Sequence, residues 1–231
     1  MKPETKIYEV AYEVCNKVGG IYTVLESKAV EMVKYYGGNY VAIGFFDKVN
    51  SKIEFDSKEP PEDIKKVFDE LEPMGIKCYY GKWLISWRPN TILVDVSGFV
   101  KETNRIKGEL WECCGVDSLR SGIEFNEPVV WAYACGILIE KLTENSDSDV
   151  IAHFHEWMAG AGILYLKISG INKKNNLKIS TVFTTHATIL GRTMAGAGEN
   201  LHEIVKEGVA KSETISPDTA RKYGIFDKHT I

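Results

Sequence analysis

The chain has 231 residues, 44% hydrophobic, 26% charged and 11% aromatic, an ordinary globular composition that excludes disorder and collagen-like repetition and is long enough to bury a core. Its 28 basic and 32 acidic residues give a net charge of −4 with no Lys/Arg stripe, which argues against nucleic acid or an anionic membrane as the main partner. No apolar run approaches the ~20 residues that cross a bilayer, Met1 to Lys6 is polar rather than signal-like, and five cysteines without a CxxC pair fit neither a disulfide framework nor a zinc knuckle, so a reduced, soluble, cytoplasmic protein is expected.

Strand-like and helix-like segments alternate along the chain, which predicts an α/β domain built as a Rossmann-like, doubly wound parallel sheet. Ile7 to Val14 reads as the first strand. The turn Lys17-Val18-Gly19-Gly20 leads into a helix from Ile21 to Tyr36, whose apolar positions Ile21, Leu25, Ala29, Met32, Val33 and Tyr36 follow a 3.6-residue period. Gly37-Gly38 ends that helix, and Asn39 to Phe46 is the second strand. Pro60-Pro61 opens a further helix striped by Ile64, Val67, Phe68 and Leu71. Strands are expected at Lys77 to Tyr80 and Thr91 to Val96, with a connection over Gly81 to Pro89. The segment from Glu127 to Leu142 is apolar around most of its circumference, as in a helix buried on several sides. A loop from Thr143 to Asp149, a strand at Val150 to His153, a helix at Met158 to Ile168, a loop at Asn172 to Asn176 and a strand at Ser180 to Thr184 follow. Beyond Thr188 the alternation weakens, leaving short helices near Leu201 to Lys206 and Ser216 to Lys222.

Ligands of open parallel sheets bind at the carboxyl ends of the strands, and three strings fall there. Gly19 and Gly20 before a helix let backbone amides approach a phosphate or sugar hydroxyls; a tight turn with no ligand is the alternative. In His153-Phe154-His155-Glu156-Trp157 the two histidines point the same way if the strand persists. Two histidines beside a carboxylate suggest metal, yet the string lacks the i, i+4 spacing of HExxH and no later Cys/His cluster completes a zinc set, so no metal is expected. A neutral imidazole at a strand end suits hydrogen bonding to a hydroxyl or steadying charge at a reacting carbon, and a packed histidine with a second one pairing Glu156 is the alternative. Thr184-Thr185-His186-Ala187-Thr188 carries the hydroxyls and imidazole of a polar sugar site, and Arg192 contacts an anion or makes a surface salt bridge.

Taken together these strings are far more specific than apart. Residues 8–14 and 16–24, Gly81-Lys82-Trp83-Leu84-Ile85, Glu109-Leu110-Trp111, Asn126-Glu127, residues 153–157 with Ala159-Gly160, and residues 183–188 with Leu190-Gly191-Arg192 resemble, in order, the N-terminal lobe of the eukaryotic-type glycogen synthases. These are retaining glycosyltransferases of the two-lobed GT-B fold.

The resemblance implies retaining transfer of glucose from a nucleotide sugar, UDP-glucose or ADP-glucose, to the 4-hydroxyl of an α-1,4-glucan or glycogen acceptor, without a metal or other cofactor. It places Lys17, Gly19 and Gly20 near the donor. It makes His155 the catalytic group beside the transferred glucose, and puts Asn126, Glu127, Glu156, Thr185, His186 and Arg192 along the cleft and acceptor side. It implies that residues 1–231 form one lobe whose partner, a C-terminal nucleotide-sugar-binding lobe, is absent from this chain, which alone is then inactive. Homo-oligomerisation is left open. The other readings are a stand-alone glucan-binding or regulatory module and another GT-B glycosyltransferase.

Overall fold

The computed structural model describes residues 4–49, 51–118, 120–144, 148–170, 179–211 and 217–224. Runs of Val, Ile and aromatic residues suit a pleated surface, and they make the middle of a seven-stranded sheet in the order β3-β4-β5-β2-β1-β6-β7. Its strands are β1 (Lys6–Val10), β2 (Tyr40–Phe45), β3 (Phe55–Ser57), β4 (Lys77–Trp83), β5 (Asn90–Asp95), β6 (Val150–His155) and β7 (Ile179–Thr184). The run β5-β2-β1-β6-β7 is parallel, with Val10 opposite Ile43 on one side and Phe154 on the other.

This parallel run is the doubly wound sheet expected from the sequence, and an antiparallel edge is added to it. β4 runs on to Trp83 and pairs antiparallel with β5, and β3 pairs antiparallel with β4. The stretch Gly81 to Trp83 that reads as connection is strand. Gly81 belongs there because a Cβ would lie 2.3 Å from the Asp56 carbonyl. The first strand also stops early, at Val10 rather than Val14. Val14 N donates to Ala11 O and Asn16 N to Glu13 O, and these bonds turn the chain through a left-handed Cys15 (φ 57°). β3, one helical turn α2 (Ser51–Glu54) and the helix α4 (Thr103–Cys114) are additions to the expected elements.

Helices cover both faces of the sheet. On one face α1 (Gly20–Tyr36) packs Tyr22, Leu25 and Ala29 onto Ile7, Ala11, Tyr40, Ala42 and Leu93. On the other, α3 (Glu62–Leu71), α4, α5 (Ile123–Thr143) and α6 (Glu156–Ser169) enclose the larger core around Val10, Ile43, Ile92, Val94 and Phe154. The α5 segment is buried from Val129 to Glu140, as its apolar circumference predicts. No helix among the described residues is long and apolar enough to cross a membrane.

The chain divides into two compact units, Met1–Thr184 and Thr185–Ile231, close to where the strand–helix alternation fades in the sequence. The second unit contains α7 (Ile189–Gly196), α8 (Leu201–Lys211) and α9 (Pro217–Lys222). The expected loop at Asn172 to Asn176, the middle of the loop at Thr143 to Asp149 and Ser216 lie outside the described residues.

Candidate functional site at the strand ends

Within β1 an acid stands between apolar neighbours, Tyr8 and Val10, and alternation turns it to the α1 face with Ile7 and Ala11. This residue, Glu9, is fully buried. Such a carboxylate is costly unless paired and hydrogen-bonded, and the fold supplies partners from three elements. Oε1 accepts from Lys28 Nζ on α1 at 2.5 Å and from His155 Nε2 on β6 at 2.9 Å, while Oε2 accepts from Tyr40 OH on β2 at 2.5 Å. Burial alone would raise the carboxyl pKa. The hydrogen bond from His155, the charge and hydrogen bond of Lys28, and the Tyr40 hydroxyl outweigh it and hold the group at about 2.

β6 persists to the second histidine, so His153 and His155 point to the same face, with rings 4.2 Å apart. The hydrogen bonds fix where their protons lie. An ionised carboxylate only accepts, so His155 Nε2 carries a proton and donates it to Glu9. An ammonium only donates, so His153 Nδ1, 3.1 Å from Lys28 Nζ, accepts. The Nε2 of that neutral His153 is then the N–H that donates to Thr184 Oγ1 at 2.7 Å. His155 is 3% exposed. The next residue, Glu156, takes a left-handed conformation (φ 63°) at the start of α6, a strained geometry for a residue with a Cβ.

Lys17 and Gly19 lie between β1 and α1 and Gly20 opens α1, beyond the strand end as expected from the sequence. The first-turn amides of α1 are met from within the chain: Glu13 Oε2 accepts from Gly19 N and from Tyr22 N, each at 2.9 Å. A carboxylate thus sits where a donor phosphate is expected, complementing the partial positive charge of the helix end. Lys17 is exposed, with Nζ 5.2 Å from the centre of the Tyr22 ring.

The predicted acceptor residues open α5. Asn126 Oδ1 accepts from Lys107 Nζ and Ser121 Oγ, each at 3.1 Å. Glu127 Oε2 accepts from Tyr12 OH at 3.2 Å, and the Tyr12 ring stacks on Phe45 at the end of β2. Phe125 lies parallel to Trp157, ring centres 6.0 Å apart, which joins the start of α5 to the His155-Glu156-Trp157 turn. The first unit thus gathers Lys17, Gly19, Gly20, Asn126, Glu127, His155 and Glu156 at the carboxyl ends of β1, β2 and β6. Thr185, His186 and Arg192 belong to the second unit. All three are exposed there, and Thr188 Oγ1 caps α7 by accepting from Gly191 N at 3.0 Å.

A family model described as glycogen synthase matches residues 9–218. The chain belongs to the glycogen synthase family. The liver glycogen [starch] synthase of Rattus norvegicus is 37% identical over 193 residues, covering 83% of this chain and 27% of that protein. The corresponding Homo sapiens liver protein is 36% identical over 196 residues, 84% and 27%. Glycogen [starch] synthase of Neurospora crassa is 33% identical over 227 residues, 97% and 30%. The chain therefore spans under a third of the length of these relatives. The match begins at Glu9 and takes in the glycogen synthase-like strings noted in the sequence, with only Tyr8 of the first lying outside it.

Glu9, Glu13, Lys28 and Tyr40 are the site residues that the sequence reading passes over. Glu9 has a signal, a lone acid at an inward position of an apolar strand. Lys28 has none beyond its place on α1, because its partner lies 19 residues away on another element.

Proposed function

We propose that the chain is the N-terminal, acceptor-side lobe of a retaining glycogen synthase, one that transfers glucose from UDP-glucose or ADP-glucose to the 4-hydroxyl of an α-1,4-glucan. The observation that carries this reading is the placement of the family's strings. The Lys-Val-Gly-Gly turn, the start of α5 and the His-Phe-His-Glu-Trp turn are far apart in sequence and meet along one edge of the sheet. Open α/β sheets bind ligands at that edge.

In the transfer, the bond from glucose C1 to the donor's diphosphate breaks and the electron pair leaves with the diphosphate. A bond forms on the same face from the acceptor O4 to C1, and the hydroxyl proton passes to the departing phosphate oxygen. Positive charge grows on the sugar in between, and dipoles fixed beforehand stabilise it best. His155 stands at the strand end with its ring held from behind, and is the group assigned to that charge. Lys17 and the first turn of α1 face the donor, with Glu13 yielding its place to an anion there. Asn126 and Glu127 face the acceptor. No metal or cofactor is invoked, since Lys28 already supplies the positive charge beside Glu9. The other lobe, which brings the rest of the donor site, completes the enzyme, and the setting is the cytoplasm.

The test starts with the intact mass of the protein purified from its native cells, followed by glucose incorporation into glycogen from UDP- and ADP-glucose. A mass well above that of 231 residues with incorporation from either donor supports the reading. A gene product of this length that incorporates no glucose overturns it.

A further inference from the structure

Glu9, His153 and His155 bring three ligand-type atoms within 4.8 Å of one another, the donor set of many metal centres. The cation among them is the chain's own. Lys28 Nζ lies 2.5 Å from Glu9 Oε1 and 3.1 Å from His153 Nδ1, and its side chain is 31% exposed, so it reaches inward from the face of α1. One ammonium therefore neutralises Glu9 and donates to His153, while the remaining lone pairs of Glu9 take the protons of His155 and Tyr40.

We propose that Glu9, clamped by Lys28 and Tyr40, is a positioning residue that holds His155 with its proton on Nε2 and its ring fixed behind the reacting face. The proposal rests on the catalytic reading of His155 and deepens it. Three features separate it from ordinary core pairing. The acid is reached from α1, β2 and β6 at once, so His155 is tied to the rigid middle of the sheet and not to a loop. Tyr40 holds the second carboxylate oxygen, which stops the carboxylate from turning away. The bond also ends one residue before the left-handed Glu156, where the backbone is strained and any ring movement would reach the turn carrying Trp157. A second carboxylate partner that sets a histidine's tautomer and ring plane has a large effect on rate without touching substrate.

The test has two arms on Glu9→Gln, which keeps the volume and loses the charge. In the 231-residue chain, ¹⁵N–¹H correlation of the imidazole nitrogens should show His155 protonated at Nε2 in the wild type and a mixture of tautomers in the variant. In the natural gene product, Glu9→Gln should lower kcat by roughly tenfold or more with KM for glucan within about twofold. An unchanged tautomer, or kcat and KM that change together, overturns the proposal. If the variant does not fold, Tyr40→Phe frees one oxygen of Glu9 and should broaden the His155 Nε2–H signal, and an unaltered signal overturns the proposal as well. Titration of the wild-type chain with Co²⁺ guards against the metal alternative: no binding is expected while Lys28 holds the position. Stoichiometric Co²⁺ uptake with loss of both histidine signals would make the cluster a metal site instead. A wild-type product that makes no glucan sinks the proposed function, while the tautomer arm still decides the role of Glu9.

Discussion

Gly19 owes its identity to a neighbour and not to its backbone angle, since its φ of −146° suits any residue. A Cβ at this position would lie 2.8 Å from Glu13 Oε1, and Glu13 is the side chain that caps α1 through two amides. Alanine at either position therefore removes the same pair of bonds. Gly19→Ala and Glu13→Ala should each lower unfolding free energy by about 1–2 kcal/mol. The double variant should cost well under the sum, because the second change finds the cap already gone. Urea denaturation of the four proteins checks this, and additive losses would show that Glu13 stays in place when residue 19 gains a methyl. Glu9 makes a separate prediction in acid. Its folded pKa of about 2 lies below the ordinary carboxyl value of 4.5, so the stability it contributes is complete above about pH 4.5 and is lost as pH falls toward 2. The urea midpoint of the wild type should fall across that window, and Glu9→Gln, with no carboxyl to titrate there, should show a flatter profile.

Among the elements, α5 and α6 meet more closely than side chains allow. A Cβ on Gly162 would stand 2.7 Å from the Ala132 carbonyl and 2.5 Å from the Phe154 ring, and one on Gly136 would be 2.9 Å from the Gly162 carbonyl. Gly160, on the same helix as Gly162, has open space instead. Alanine gains about 1 kcal/mol over glycine in a helix interior, whereas overpacking a fixed contact costs about 1–3 kcal/mol. Gly160→Ala should therefore stabilise the protein and Gly162→Ala destabilise it, in thermal melts of the two variants. Equal shifts would mean that the helices separate freely. Helix periods were legible from sequence here because a 3.6-residue stripe or an all-round apolar segment reports its own packing. β3 was not legible, since three residues carry no period and its pairing with β4 is decided across a connection that contains all of α3. α4 was missed for a different reason: its buried positions reduce to Ile106 and Leu110, too few to stand out in a polar stretch.

On the scale of the molecule, residues legible as motif strings are those at the strand ends and turns, and the supporting charges behind them are not. The string around His155 could be read as lying near a strand end, and the family resemblance of that string is what singled His155 out. That its ring faces inward to Glu9 depends on β1 and β6 lying side by side, a pairing of segments more than 140 residues apart. The same logic bears on what the chain can do alone. The first turn of α1 already holds the Glu13 carboxylate, so in the proposed function a donor's diphosphate gains a place there only if other groups hold it strongly enough to displace that side chain. The relatives carry more than two thirds of their length outside the region this chain matches, and the proposed second lobe is where such groups belong. The 231-residue chain should therefore retain measurable retardation on glycogen-containing native gels through the α5 and α6 starts, yet incorporate no glucose from UDP- or ADP-glucose. Incorporation by this chain would show that one lobe suffices and would sink the two-lobe reading. Loss of both retardation and incorporation in a chain that melts cooperatively would move the acceptor site off the strand ends and take Asn126 and Glu127 with it.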